Sequence, residues 1–165
     1  KEAGWKIVEI KAENINKAKE DLTSKDEIVK KAAQAKIDMG VGQWLEKNNN
    51  YLTLELNTVD NPEYGQTAGL IANFWRQINV KTSVNLVPAN QIQTDVIKTR
   101  NFTALFYGEI TGADPDPYAF WHSSQIGPAG LNLADYSNKE VDKLLEEGRL
   151  TNDFKARQGK YKKFQ

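Results

Sequence analysis

Between residues 52 and 107 the sequence switches repeatedly between two hydrophobic periods, and this constrains the fold more than any other feature. Leu52, Leu54 and Leu56 alternate with Thr53, Glu55 and Asn57, the pattern of a strand with one buried face. Asp60-Asn61-Pro62-Glu63 follows: an Asx cap with proline in the first helical position opens a helix. That helix is expected to bury Leu70, Ile71, Phe74, Trp75 and Ile78 and to end at Asn79, a residue that tolerates left-handed backbone. Val80, Thr82, Val84 and Leu86 alternate as a second strand, and Pro88 stops it. Ile92, Val96 and Ile97 mark a short helix. Thr103 to Tyr107, almost continuously apolar, reads as a strand covered on both faces. The order strand, helix, strand, helix, strand predicts an α/β fold with helices packed on a mixed sheet.

The first fifty residues read as helical and lysine-rich. Ala12, Ile15, Ala18 and Leu22 recur at helical spacing. Ser24 and Glu27 form a capping-box pair. The next helix carries Ile28, Ala32, Ala35 and Met39 on one side and stops at Gly40 and Gly42. Its lysines are read as a solvated face. Asn48-Asn49-Asn50 is a turn. Lys1 to Trp5 reads as the end of a helix closed by Gly4, and Tyr161 to Gln165 lies inside a helical pattern, so the chain is expected to be part of a longer one.

From Gly108 to Tyr136 regular patterning fades, with Asp114-Pro115 and Asp116-Pro117 in its midst. Residues 101–137 contain no Lys or Arg but hold 7 of the 16 aromatic residues. A long irregular stretch just after a buried strand is a place for function. Its aromatic content argues against disorder, and ligands of open α/β sheets gather at the carboxyl ends of strands. Order resumes with a second capping-box pair, Ser137 and Glu140, before a helix using Val141, Leu144 and Leu145. A last helix uses Phe154, Tyr161 and Phe164 and carries a basic cluster read as a solvated face.

Composition narrows the chemistry. There are 22 basic and 22 acidic residues, and a zero balance argues against nucleic-acid binding. With no Cys and one His, thiolate and multi-His metal sites are excluded, and no metal or cofactor is expected. No apolar run reaches the roughly 20 residues of a membrane span. Asp114 and Asp116, with Glu109, offer a paired-carboxylate glycosidase as an alternative; the same residues are a turn signature, since Asp caps turns and Pro fixes φ. Asp116→Asn is accordingly expected to cost about 1 kcal/mol or less. His122 beside Ser123 and Ser124 lacks a nucleophile-elbow pattern, and residues so near in sequence are not expected to face each other productively.

Tyr107-Gly108, Asp114-Pro115-Asp116-Pro117-Tyr118 and Phe120-Trp121-His122-Ser123-Ser124-Gln125, followed by Gly130-Leu131-Asn132 and Tyr136-Ser137-Asn138-Lys139-Glu140-Val141-Asp142, resemble the peptide- and nickel-type solute-binding proteins of bacterial ABC transporters. Leu144-Leu145-Glu146-Glu147, Arg157, Tyr161 and Glu2-Ala3-Gly4-Trp5 extend the resemblance over residues 1–6 and 44–165, leaving 7–43 as a helical insertion.

The resemblance implies a class II clamshell of two lobes with the solute between them. This chain would be one C-terminal lobe, lacking the N-terminal lobe, and would bind a peptide or related small solute for a membrane permease without catalysing anything. It implies an extracytoplasmic, lipid-anchored protein. Tyr107, Gly108, Glu109 and Ile110 would line the site, with Thr111 and Asp114 near its rim and Trp121 as an aromatic wall. Many peptide-binding relatives carry an acidic residue where Thr111 stands, so capture of a free α-amino group in the family's usual way is not expected here.

Overall fold

The computed structural model describes residues 4–110, 114 and 116–165. Two compact units emerge, residues 1–86 with 103–106, and residues 87–102 with 107–165.

In the first unit, β1 (Lys6–Ile10), β2 (Gly42–Lys47) and β3 (Asn50–Tyr51) form an antiparallel sheet in that order. β1 and β2 were not evident in the sequence, because neither shows a clean period of two. The expected turn joins β2 to β3, with Asn48 and Asn49 both at positive φ (52° and 63°), which asparagine accepts more readily than most residues. Between β1 and β2 stand α1 (Ala12–Asp21) and α2 (Glu27–Met39), packed on each other. The cap of α2 is Asp26, whose carboxylate accepts from the Ile28 N–H, while Ser24 Oγ accepts from Asp26 N–H one step earlier. The inward face differs in part from the expected one: Met39 is buried as expected, but Ala33 is buried beside it and Ile28 is 80% exposed.

The second sheet of this unit has the order β5 (Lys81–Val87), β4 (Thr53–Val59), β6 (Ala104–Phe106). β6 runs parallel to β4, with Leu56 opposite Ala104 and Thr58 opposite Phe106, as the strand–helix–strand order requires. Side chains stitch the strands as well: Asn85 Nδ2 donates to Asn57 Oδ1 at 2.8 Å, and Thr58 Oγ1 donates to the Phe106 carbonyl at 2.8 Å. β6 is half-buried rather than covered on both faces.

α3 (Pro62–Gln77) is capped by Asn61, which accepts from Glu63 N–H, with Pro62 at its start. Asn79 (φ 66°) turns the chain into β5. The buried row of α3 is Ala68 and Ala72; Leu70, Phe74 and Ile78, expected in the core, are 58%, 62% and 61% exposed. Two alanines let the helix approach its neighbours closely, which leaves the bulkier row at i, i+4 and i+8 facing outward.

The second unit carries near its start a short π-helical turn, Ile92–Ile97, that closes with an i→i+5 bond from Lys98 N–H to the Gln93 carbonyl. Its Ile92, Val96 and Ile97 are buried. After the irregular segment come α4 (Tyr118–Trp121), a 3₁₀ turn (Ser123–Gln125), α5 (Lys139–Leu150) and α6 (Phe154–Phe164). Asn138, not Ser137, caps α5 and accepts from Glu140 and Val141 N–H. α5 and α6 touch where Gly148 faces Tyr161; a Cβ at Gly148 would lie 2.6 Å from the ring. Leu145 is fully buried. The basic cluster of α6 is only partly solvent-facing, since Arg157 pairs with Asp114 and Lys160 with Glu147. Among the described residues no helix is long and apolar enough to cross a membrane, and no group of three or more His, Asp or Glu is placed to hold a metal.

Candidate functional site

As β6 ends, its chain continues as Tyr107, Gly108, Glu109 and Ile110, and these four residues edge a cleft of about 230 Å³. One wall is the Ile92–Ile97 helix, through Gln93 and Ile97; the other is formed by Phe120, Leu131 and Leu133. The interior is mostly apolar. Its polar features are the Tyr107 hydroxyl, to which Gln93 Nε2 donates at 3.0 Å, and the Glu109 carboxylate. Desolvation pushes the Glu109 pKa above its ordinary value. A charged, partly desolvated carboxylate is costly, so this group favours a proton, an N–H or a cation beside it. Gly108 and Ile110 are exposed, Ile110 at 94%, and residues 107–110 form no strand ladder. Among the described residues they belong to no strand, which leaves this edge the conformation an extended partner could pair with.

Of the sequence-predicted residues, Tyr107, Gly108, Glu109 and Ile110 come together here. Thr111 lies outside the described residues. Asp114 and Trp121 are elsewhere. Asp114 pairs with Arg157 on α6, in a polar recess shared with Asp116, Arg149 and Asn152. Trp121 packs edge-on against Tyr136 and Phe164, with centroids 5.8 and 6.0 Å apart, in a separate groove along α6. Gln93, Ile97, Phe120, Leu131 and Leu133 were missed. Leu131 and Leu133 flank Asn132 at a spacing of two, but nothing local says that they face a helix more than thirty residues earlier.

The Asp-Pro pairs act as latches. Asp116 Oδ1 accepts from Tyr118 N–H at 3.1 Å, the expected Asx turn, and its Oδ2 accepts from Arg149 Nε at 2.7 Å. The Arg149 guanidinium also lies 4.2 Å from the Tyr118 ring centre, a cation–π contact. Both carboxylates are thus neutralised by arginines. A glycosidase pair needs carboxyls free to meet the scissile bond, whereas each of these is engaged by an arginine.

Behind the cleft, the 3₁₀ turn is held by a polar network. Asp142 accepts from Ser123 N–H at 2.9 Å and from Ser123 Oγ at 2.6 Å. Desolvation alone would raise the Asp142 pKa, but these bonds and the neighbouring His122 outweigh it and hold the group below 3.8. His122 is buried, and its Nδ1 accepts from Ser124 N–H at 3.0 Å. Ser124 Oγ lies 2.8 Å from Nδ1, because a cap at i and i+2 folds the two together. The backbone bond at the same nitrogen makes His122 the cap of the turn rather than a poised base. The fully buried Asn132 donates to the His122 and Tyr136 carbonyls and accepts from Tyr136 N–H.

Comparison with known proteins bears on the fold. No family model matches the sequence. Over 61 residues the chain is 38% identical to the oligopeptide-binding protein AppA of Bacillus subtilis strain 168, a match covering 37% of this chain and 11% of the relative. The solved structure of AppA in complex with a nonapeptide superposes with a TM-score of 0.66 at 24% identity, over 73% of this chain and 24% of AppA. NikZ from Campylobacter jejuni in complex with Ni(L-His) gives a TM-score of 0.66 at 20% identity, over 98% of this chain and 44% of NikZ. The ABC transporter substrate-binding protein CtaP from Listeria monocytogenes gives 0.58 at 27% identity, over 68% and 23%.

The chain resembles part of a peptide- or nickel-type solute-binding protein in sequence and in fold. Solute-binding proteins of this type carry the α/β architecture described above, and this chain spans only about a tenth to under a half of the length of the relatives it matches.

Proposed function

We propose that this chain is the C-terminal lobe of an extracytoplasmic solute-binding protein that takes a peptide, or a related small solute, and delivers it to an ABC permease. Residues 7–43 are an insertion in that lobe, and the whole protein is lipid-anchored and catalyses no reaction. The observation that carries this reading is the cleft where the chain leaves β6: the backbone of residues 107–110, outside any strand among the described residues, borders an apolar hollow of about 230 Å³. An extended peptide can bond to such a backbone while the hollow receives a side chain. AppA was solved with a nonapeptide and NikZ with Ni(L-His). The side chains here suit a peptide better, because the cleft offers a single carboxylate and no imidazole.

A lobe of a clamshell supplies part of the contacts and cannot exclude water by closing. Calorimetry with a nonapeptide should therefore show binding to the full-length protein and none tighter than micromolar to this chain alone. Sub-micromolar binding to the isolated chain would overturn the half-site reading. Absence of binding to the full-length protein across a peptide library would overturn the peptide assignment.

A further inference from the structure

Arg100 stands out among the charged residues. It adopts left-handed backbone (φ 55°), which strains a non-glycine residue. Its Nη2 donates to two carbonyls, Gly127 at 2.6 Å and Gly130 at 2.9 Å. Its Nε and Nη1 are buried with no hydrogen-bond partner, and no carboxylate lies within ion-pair distance among the described residues. A buried guanidinium with two unmet donors is a poor choice for stability alone. A methionine would fill the same space without the unmet donors, so the arginine's position calls for another reason.

Its placement supplies one. Arg100 follows by three residues the Ile97 that lines one wall of the cleft, and its fork grips the turn leading into Leu131 and Leu133 of the other wall. That turn is built from close backbone approaches. Gly130 crosses so close to the Gln125 carbonyl that a Cβ there would sit 1.8 Å from the oxygen, and Gly127 has φ 111°. Two backbone bonds close it, Gly130 N–H to the Gly127 carbonyl and Asn132 N–H to the Gln125 carbonyl.

We propose that Arg100 is the positioning residue of the cleft: by holding the Gly127 and Gly130 carbonyls it fixes the gap between the Gln93/Ile97 wall and the Leu131/Leu133 wall, and so sets the side-chain size the cleft accepts. The selectivity part rests on the solute-binding reading; the clamp itself does not.

Two measurements separate them. On this chain, hydrogen exchange of the Gly130 and Asn132 amides should be at least about tenfold faster in Arg100→Met than in the wild type, with α5 amides unchanged. Unchanged rates overturn the clamp. On the full-length protein, affinities for Ala-Gly-Ala-Ala, Ala-Leu-Ala-Ala and Ala-Phe-Ala-Ala are compared in wild type, Arg100→Met and Arg100→Lys. The Leu-to-Gly affinity ratio should fall about tenfold in Arg100→Met and recover in part in Arg100→Lys, which keeps a cation able to reach the carbonyls. A general loss of stability would lower the fraction of active protein and leave that ratio alone. A ratio within twofold of wild type in both folded variants overturns the selectivity role. If wild type binds none of the three peptides, the peptide reading fails instead, and the exchange rates alone decide the clamp.

Discussion

Replacing Asp142 by Asn tests the network that anchors the 3₁₀ turn to α5. Its carboxylate accepts two hydrogen bonds from Ser123, at 2.9 and 2.6 Å, and is mostly buried. Hydrogen bonds to charged groups contribute about 1.5–3 kcal/mol each. Asn keeps one acceptor oxygen but turns an amide N–H₂ toward the other donor, so one bond is lost and the second loses its charge. The expected cost is about 2 kcal/mol at pH 7, or roughly 4–8 °C in Tm for a chain of this size.

The pH dependence supplies a second check. The folded-state pKa of Asp142 is lowered below its ordinary 3.8, so the carboxylate's contribution is fully present above that value. It is lost as pH falls through the depressed folded value. The difference between wild type and Asp142→Asn should therefore hold from pH 7 down to about pH 4 and shrink as the pH falls further, through the depressed folded value. Thermal unfolding followed by circular dichroism across that range would measure it. A difference that persists undiminished at the acid end would show that the cost comes from misplaced packing rather than from the lost charge, and would refute the reasoning.

Other outcomes follow from single contacts. Asp116→Asn should cost about 1 kcal/mol, since Asn can still accept from Tyr118 N–H and the Arg149 pair is half-exposed; denaturant titration gives the value. Asn138→Ala should cost about 1 kcal/mol and Ser137→Ala close to nothing, because only Asn138 caps α5; equal costs would contradict the cap. Gly148→Ala should destabilise by about 2 kcal/mol despite alanine's better helix propensity, because the new methyl meets the Tyr161 ring. The same change in a Tyr161→Leu background should cost clearly less, read from the double-mutant cycle.

Much of this protein was legible in its residues. The alternation at 52–56 and 80–84, the Asn61-Pro62 start, the Asn79 stop and the Asn48–Asn49 turn all appear as expected, because each depends on a residue's own backbone preference or on a local period. The motif runs after Tyr107 pointed to the right family likeness and to residues 107–110 as a cleft edge. Local signals erred by a residue or two where several candidates compete for one role. Asp26 and Asn138 cap the helices that Ser24 and Ser137 were expected to start, since the cap goes to whichever oxygen reaches the free N–H groups. The inward face of α3 went to an alanine row, and Ala33 joined the expected Met39 in α2, because close approach of a helix depends on what it packs against. The separation of Asp114 and Trp121 from the cleft, the Leu131/Leu133 wall and the Arg100 clamp depend on contacts between residues about thirty or more positions apart. No window of sequence carries such distances; they exist only once the strand, the helices and the 127–133 turn have packed.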